Sequence, residues 1–264
     1  MSHNVLQNHL RSEVPRSADG NSTLILPKPM RSKAWVQLLA AIAGVFPLYL
    51  GLIIYQLRRG QPPTTQGFIF YLAVVSPLSI VIALLLLRFL CREHPRDLNL
   101  KRGTLAPDLL AALVLSLVII IANVLTNHFL SDLLPDSDSN TSIRDLFLNL
   151  ASNPWLLALF MVLLIPMGAA SEEVIRVFLL SRLWKVWPST SGKLVAVLIS
   201  ACLFGLVHLY RGPSTVVWTA IFGLISALYY LRFGRVAPLI LAHYVTNALQ
   251  VLIFTVLVRQ GSPG

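Results

Sequence analysis

Residues 108–130 read DLLAALVLSLVIIIANVLTNHFL, and after Asp108 the block carries no Asp, Glu, Lys or Arg. A helix rises 1.5 Å per residue, so an apolar run of about 20 residues spans the roughly 30 Å hydrocarbon core of a bilayer. Comparable blocks lie on both sides of this one. They run at about 34–57, 67–90, 148–183, 194–210, 215–231 and 236–258. The whole chain of 264 residues is 56% hydrophobic and 12% charged, with a mean hydropathy of +0.72. A soluble domain of that length carries about twice that charge. The expected fold is an all-α, polytopic transmembrane helix bundle of about seven spans.

Three regions follow from this pattern. Residues 1–33 are polar, with Arg11, Arg16, Lys28, Arg31 and Lys33, and read as a flexible cytosolic tail. Residues 34–130 supply leading transmembrane helices, and residues 148–258 form the remaining membrane core. The block at 148–183 is too long for one upright crossing and contains Pro154 and Pro166. It is expected to be kinked or tilted, or to be preceded by a short helix.

The net charge of +10 raises the question of nucleic acid. Its basic residues sit singly or in small groups at the ends of apolar blocks, which excludes a phosphate-binding patch and fits topology determinants and lipid headgroup contacts. With the N-terminus cytosolic, fifteen basic residues lie on the inner side and five on the outer, so that orientation is expected. The 131–145 loop, with a glycosylation-type sequon at Asn140-Thr141-Ser142, would then face out. The two cysteines, Cys91 and Cys202, have no metal-type spacing and are not expected to form a disulfide.

Eleven acids occur in the chain, and Glu172 and Glu173 lie well inside an apolar block. A carboxylate at the bilayer centre costs about 2.5–3.5 kcal/mol on insertion scales. Arg176 is within one helical turn, but one guanidinium does not serve two carboxylates that point about 100° apart. The second acid needs another partner. His208, in Phe204-Gly205-Leu206-Val207-His208, and His243 with Asn247, in His243-Tyr244-Val245-Thr246-Asn247, are further polar groups deep in apolar blocks. The four-residue spacing puts His243 and Asn247 on one helix face. Each histidine on its own reads equally well as an interhelical hydrogen-bonder. By helical rise, Glu172, His208 and His243 lie roughly 15, 22 and 12 Å from the inner interface. All three fall near the middle of the core, so one shared site is feasible.

Taken together, these elements resemble the type II CAAX prenyl endopeptidase family, also called Abi or CPBP, of intramembrane proteases. That family is marked by Glu-Glu-x-x-x-Arg, then Phe-x-x-x-His, then His-x-x-x-Asn on successive helices. Phe204 and His208 match the second motif, and His243 and Asn247 the third. The first motif, Glu172-Glu173-Val174-Ile175-Arg176, is one residue short. Two registers are open. With the glutamates aligned, Glu172 is the catalytic acid and Glu173 contacts Arg176. With the arginine aligned, Ser171 takes the first position and the general base is lost.

The resemblance implies an intramembrane endopeptidase in which Glu172 and His208 deprotonate a water, His243 and Asn247 donate to the oxyanion, and Glu173 with Arg176 orients the motif helix. Its substrate would be a membrane-associated peptide or protein, prenylated or not, and its location a bacterial cell membrane. Divalent zinc on Glu172, His208 and His243 is the other route to an activated water, although no His-Glu-x-x-His occurs. A catalytically impaired pseudoprotease that scaffolds a membrane partner is the alternative that the short motif favours. A proton-coupled transporter is a third reading, weakened because no inverted repeat is evident.

Overall fold

The computed structural model of the chain describes residues 28–59, 69–94, 98, 104–130, 133 and 139–261. These form helices joined by short connections, with no strand among the described residues. The tail expected at 1–33 lies almost wholly outside them. Helix α1 is Lys28–Arg59, and α2 runs through Ser76–Leu85 with a π-helical turn at each end, Tyr71–Val75 and Leu86–Leu90. Next come α3, Leu105–Leu130, and α4, Ser139–Ser152. Helix α5, Pro154–Leu163, continues through a π-helical stretch, Leu164–Ala170, into α6, Ser171–Val186. The remaining helices are α7, Thr190–Leu206, α8, Pro213–Phe233, and α9, Ala237–Gly261.

Among the described residues, five stretches are long and apolar enough to cross a bilayer: Ala73–Leu90, Leu105–Leu130, Pro154–Val186, Pro213–Phe233 and Ala237–Leu257. Ser32–Val45 and Thr190–Leu206 are apolar but shorter. The protein is thus an integral membrane helix bundle; of the two remaining blocks, the first lies within α1, 32 residues long, and the other forms the 17-residue α7. Helix α3 shows why lipid is the solvent. Leu110, Leu113, Leu117, Ile121 and Val124 recur at helical spacing and are exposed, while Ala112, Leu115, Ser116 and Ile119 face the bundle. A continuous outward apolar face of that size is stable against hydrocarbon and not against water.

The long fourth block resolves into two helices and a distortion. The chain breaks at Asn153, whose side-chain oxygen accepts from the Trp155 and Leu156 amides at 3.1 Å, with Pro154 pre-set for the first helical position. The preceding helix α4 starts at Ser139, so the loop expected at 131–145 is shorter than its sequence suggests. Pro166, which has no N–H to donate, falls in the wider π-helical turn before α6.

Helix α6 is the axis of the bundle, packed by α1, α2, α7 and α8. Helices α7 and α8 approach closely at Gly205, where a β-carbon would meet the Val216 carbonyl oxygen at 2.6 Å. At one end of α6, the Arg182 side chain is 1% exposed. It reaches Glu93 through Nη2 at 2.5 Å and Nη1 at 3.2 Å, and Gln37 of α1 at 3.3 Å. Lys185 also pairs with Glu93. The segment after α2 is fixed further by the Tyr230 hydroxyl, which donates to the Leu98 carbonyl at 2.7 Å. An Asp108–Arg235 ion pair ties the start of α3 to the turn before α9. Both cysteines are free thiols.

Partial burial alone would raise the Glu93 carboxyl, but hydrogen bonds from Arg182 and Lys185 outweigh it and hold the group below its ordinary range. A depressed folded value contributes stability above the unfolded value of about 4.3 and loses it as pH falls through the folded one. Glu93→Gln should lower stability in detergent by about 3–5 kcal/mol, because it leaves the Arg182 charge buried and unpaired. It should also flatten the acid limb of the thermal-stability profile. Lys185→Ala, on a side chain 45% exposed, should cost less than about 1 kcal/mol. Equal losses from the two variants would show that burial of Arg182 is not what the pair sustains.

Candidate active site

The two glutamates occupy the first turn of α6, and they have different surroundings. Glu173 is fully buried. Its carboxylate accepts from Arg176 Nη1 at 2.8 and 2.9 Å, the i+3 neighbour on the same helix. Its Oε1 also accepts from His243 Nδ1 of α9 at 2.8 Å. The Arg176 guanidinium lies 3.8 Å from the centroid of the Phe204 ring and 5.3 Å from that of Phe222. A cation over an aromatic face in a desolvated site gains about 2 kcal/mol, so Phe204 helps hold the charge that Glu173 neutralises.

His208 follows the C-terminus of α7. There the helix tightens, with the His208 amide bonded to the Gly205 carbonyl at 2.9 Å. That leaves the Phe204 carbonyl, one of the orphan acceptors of a helix end, for His208 Nδ1 at 2.8 Å. A carbonyl only accepts, so Nδ1 carries the proton and Nε2 is left to face the site. The same logic applies to His243, whose Nδ1 is committed to Glu173. The two Nε2 atoms then face one oxygen: Glu172 Oε2 lies 3.8 Å from His208 Nε2 and 3.7 Å from His243 Nε2. The Glu172 side chain is 18% exposed, against 0% for Glu173. These separations are too long for direct hydrogen bonds and suit a small group shared among the three.

The structure therefore brings Glu172, Glu173, Arg176, His208 and His243 into one cluster. Asn247 lies one helical turn along α9 from His243, its amide nitrogen 3.8 Å from where a β-carbon on Gly168 would sit. It borders the π-helical stretch, which α9 packs against. The Ser171 hydroxyl turns back to the Gly168 carbonyl at 3.3 Å. Glu172, and not Ser171, faces the histidines.

Two contributors carry no sequence signal of their own. Phe222 of α8 stacks edge-on against His243 at 4.6 Å between ring centroids, and against Phe204 at 5.7 Å with near-parallel rings. It reads from the sequence as one more apolar residue. The Glu173–His243 bond joins residues 70 apart, and no local spacing indicates it.

A metal was the other route to an activated water. Among the described residues, no group of three or more His, Cys, Asp or Glu is placed to hold an ion. Glu172 Oε2 and the two Nε2 atoms converge at 3.7 and 3.8 Å without direct contact.

No curated protein and no solved structure matches the chain. A family model does match: residues 152–249, which contain all six site residues, fit the Type II CAAX prenyl endopeptidase Rce1-like family, the same family that the three motifs resemble.

Proposed function

We propose that the protein is an intramembrane endopeptidase that hydrolyses a peptide bond of a membrane-associated substrate with a water activated by Glu172 and His208. The observation that carries this reading is the convergence of Glu172 Oε2 and two imidazole Nε2 atoms at 3.7 and 3.8 Å, each ring fixed from behind through its Nδ1. One water oxygen bridges groups at such separations. The family match supports a protease role, and a membrane-associated peptide, of CAAX type or related, as substrate.

In this mechanism the water donates to Glu172 and to His208 Nε2. As its oxygen bonds to the scissile carbonyl carbon, Glu172 takes the proton. The carbonyl oxygen gains charge and is met by His243, backed by the Glu173 carboxylate, and by the Asn247 amide. The carbon–nitrogen bond then breaks and the proton on Glu172 passes to the leaving amine, giving a carboxylic acid and an amine. Arg176 and Phe204 keep Glu173 in place. The short first motif costs this arrangement little, because Glu173 and Arg176 pair at i+3 and leave Glu172 beside the histidines.

The two glutamates should not be interchangeable. Glu172→Gln should reduce peptide cleavage by about 10²–10⁴-fold, the usual contribution of a general base, with little change in melting temperature. Glu173→Gln and Arg176→Gln should each lower stability by about 3–5 kcal/mol, since either strands a buried charge. Thermal unfolding and cleavage of a peptide library, measured on all three, separate the roles. A silent Glu173→Gln beside a destabilising Glu172→Gln would transfer the base position to Ser171 and leave the scaffold reading in its place.

Asn247→Ala should lower kcat by about 10²-fold with KM nearly unchanged, as for loss of an oxyanion donor. An effect confined to KM would make Asn247 a substrate-binding residue instead.

A further inference from the structure

A cleft opens beside the cluster, between the antiparallel helices α6 and α7. It is walled by Ile175 and Leu179 on one side and Leu203, Phe204 and Val207 on the other, with Glu172 at one end. From Glu172 to Leu179 the helical rise gives about 10 Å, and an extended peptide of three residues covers the same distance. Two hydrogen-bonding side chains also line this cleft, Arg176 and Ser200. Arg176 is 4% exposed and Ser200 1%. Neither Arg176 Nε and Nη2 nor Ser200 Oγ has a hydrogen-bond partner.

Several hydroxyls inside these helices return to their own backbone: Ser79 to Ser76, Ser116 to Ala112, Thr126 to Ala122, Ser181 to Phe178 and Thr219 to Thr215, at 2.5–2.8 Å. Ser200 does not, nor do Thr246 and Thr255 of α9, and of these three Ser200 is the one that lines the cleft. Such a bond is the usual resting place of a helical hydroxyl. A buried donor left without an acceptor costs about 1–3 kcal/mol. Two unsatisfied donors on one cleft imply an acceptor that arrives from outside the chain. Glu172 at the end of the cleft and Glu173 behind Arg176 disfavour a second anion. The apolar walls favour a neutral group.

We infer that Ser200 and the outer edge of Arg176 form a subsite for a main-chain carbonyl of the substrate, two to three residues from the scissile bond. This rests on the peptide-hydrolysing reading above and assigns Ser200 a positioning role in it. The bound peptide lies extended along the cleft, and the two donors set which bond reaches Glu172.

The test uses the full chain in detergent and a fluorescent apolar peptide that the wild type cleaves, or failing cleavage, one that it binds. A series of analogues replaces one amide at a time by a trans-alkene, which keeps the extended shape and removes the carbonyl. Binding is read by anisotropy in a Glu172→Gln background, and cleavage in the otherwise native protein. Ser200→Ala should weaken binding of the all-amide peptide about 3- to 10-fold, the value of one neutral hydrogen bond. It should weaken binding no further for the analogue lacking the accepted carbonyl, and Ser200→Thr should restore the difference. Equal weakening across the whole series, or none, would overturn the subsite and leave hydrolysis standing. Position-specific weakening with no cleavage by the native protein would sustain the subsite and remove the hydrolytic reading. Failure to bind any peptide would overturn both.

Discussion

The arrangement depends on a single carboxylate. Glu173 is fully buried in a bundle whose solvent is hydrocarbon, and a charge there persists only if it is paired and hydrogen-bonded. It finds a cation on its own helix, Arg176, and a ring N–H on another, His243. The second of these bonds joins α6 to α9 and also commits His243 Nδ1. The face that this imidazole turns toward Glu172 is then defined by what lies behind it, as in metal and triad sites, where an outer partner fixes the tautomer. Glu172, one residue away and about 100° around the helix, is left to face both histidines.

Much of this was legible in the sequence, because the information was local. Long apolar blocks give membrane helices by length alone, and the block at 108–130 emerges as α3 with nearly the expected bounds. The polar residues that matter stood out because apolar surroundings make them expensive. Helical rise placed three of them at similar depth, and the structure puts both histidines within 4 Å of Glu172. Length also marked the block that holds more than one helix: the stretch at 148–183, too long for one upright crossing, contains the end of α4, the Asn153 cap and a π-helical turn. The caps that divide it depend on backbone torsions that composition does not report.

What the sequence withheld is long-range. Nothing in the spacing of Glu173 and His243 indicates that they meet, and Phe222 and Ser200 resemble any other residues of apolar helices. Their roles come from which helix faces which. The close approach of α7 and α8 at Gly205 brings Phe222 against Phe204, and so brings an aromatic wall to Arg176 and His243. The short first motif could be judged only in three dimensions. At i+3, Arg176 reaches Glu173, and Glu172 lies beside the two histidines.

The order in which the partners of Glu173 occur along the chain bears on biogenesis. Arg176 is three residues away, so the pair forms within α6 itself and the segment enters the bilayer with part of its charge already neutralised. His243 is made seventy residues later and joins only when α9 docks, in the second stage of membrane-protein assembly, when inserted helices associate. Until then the carboxylate has one partner and the histidine none. The geometry of the cluster is therefore a product of helix association and not of insertion, and a chain truncated before α9 would insert without ever building it.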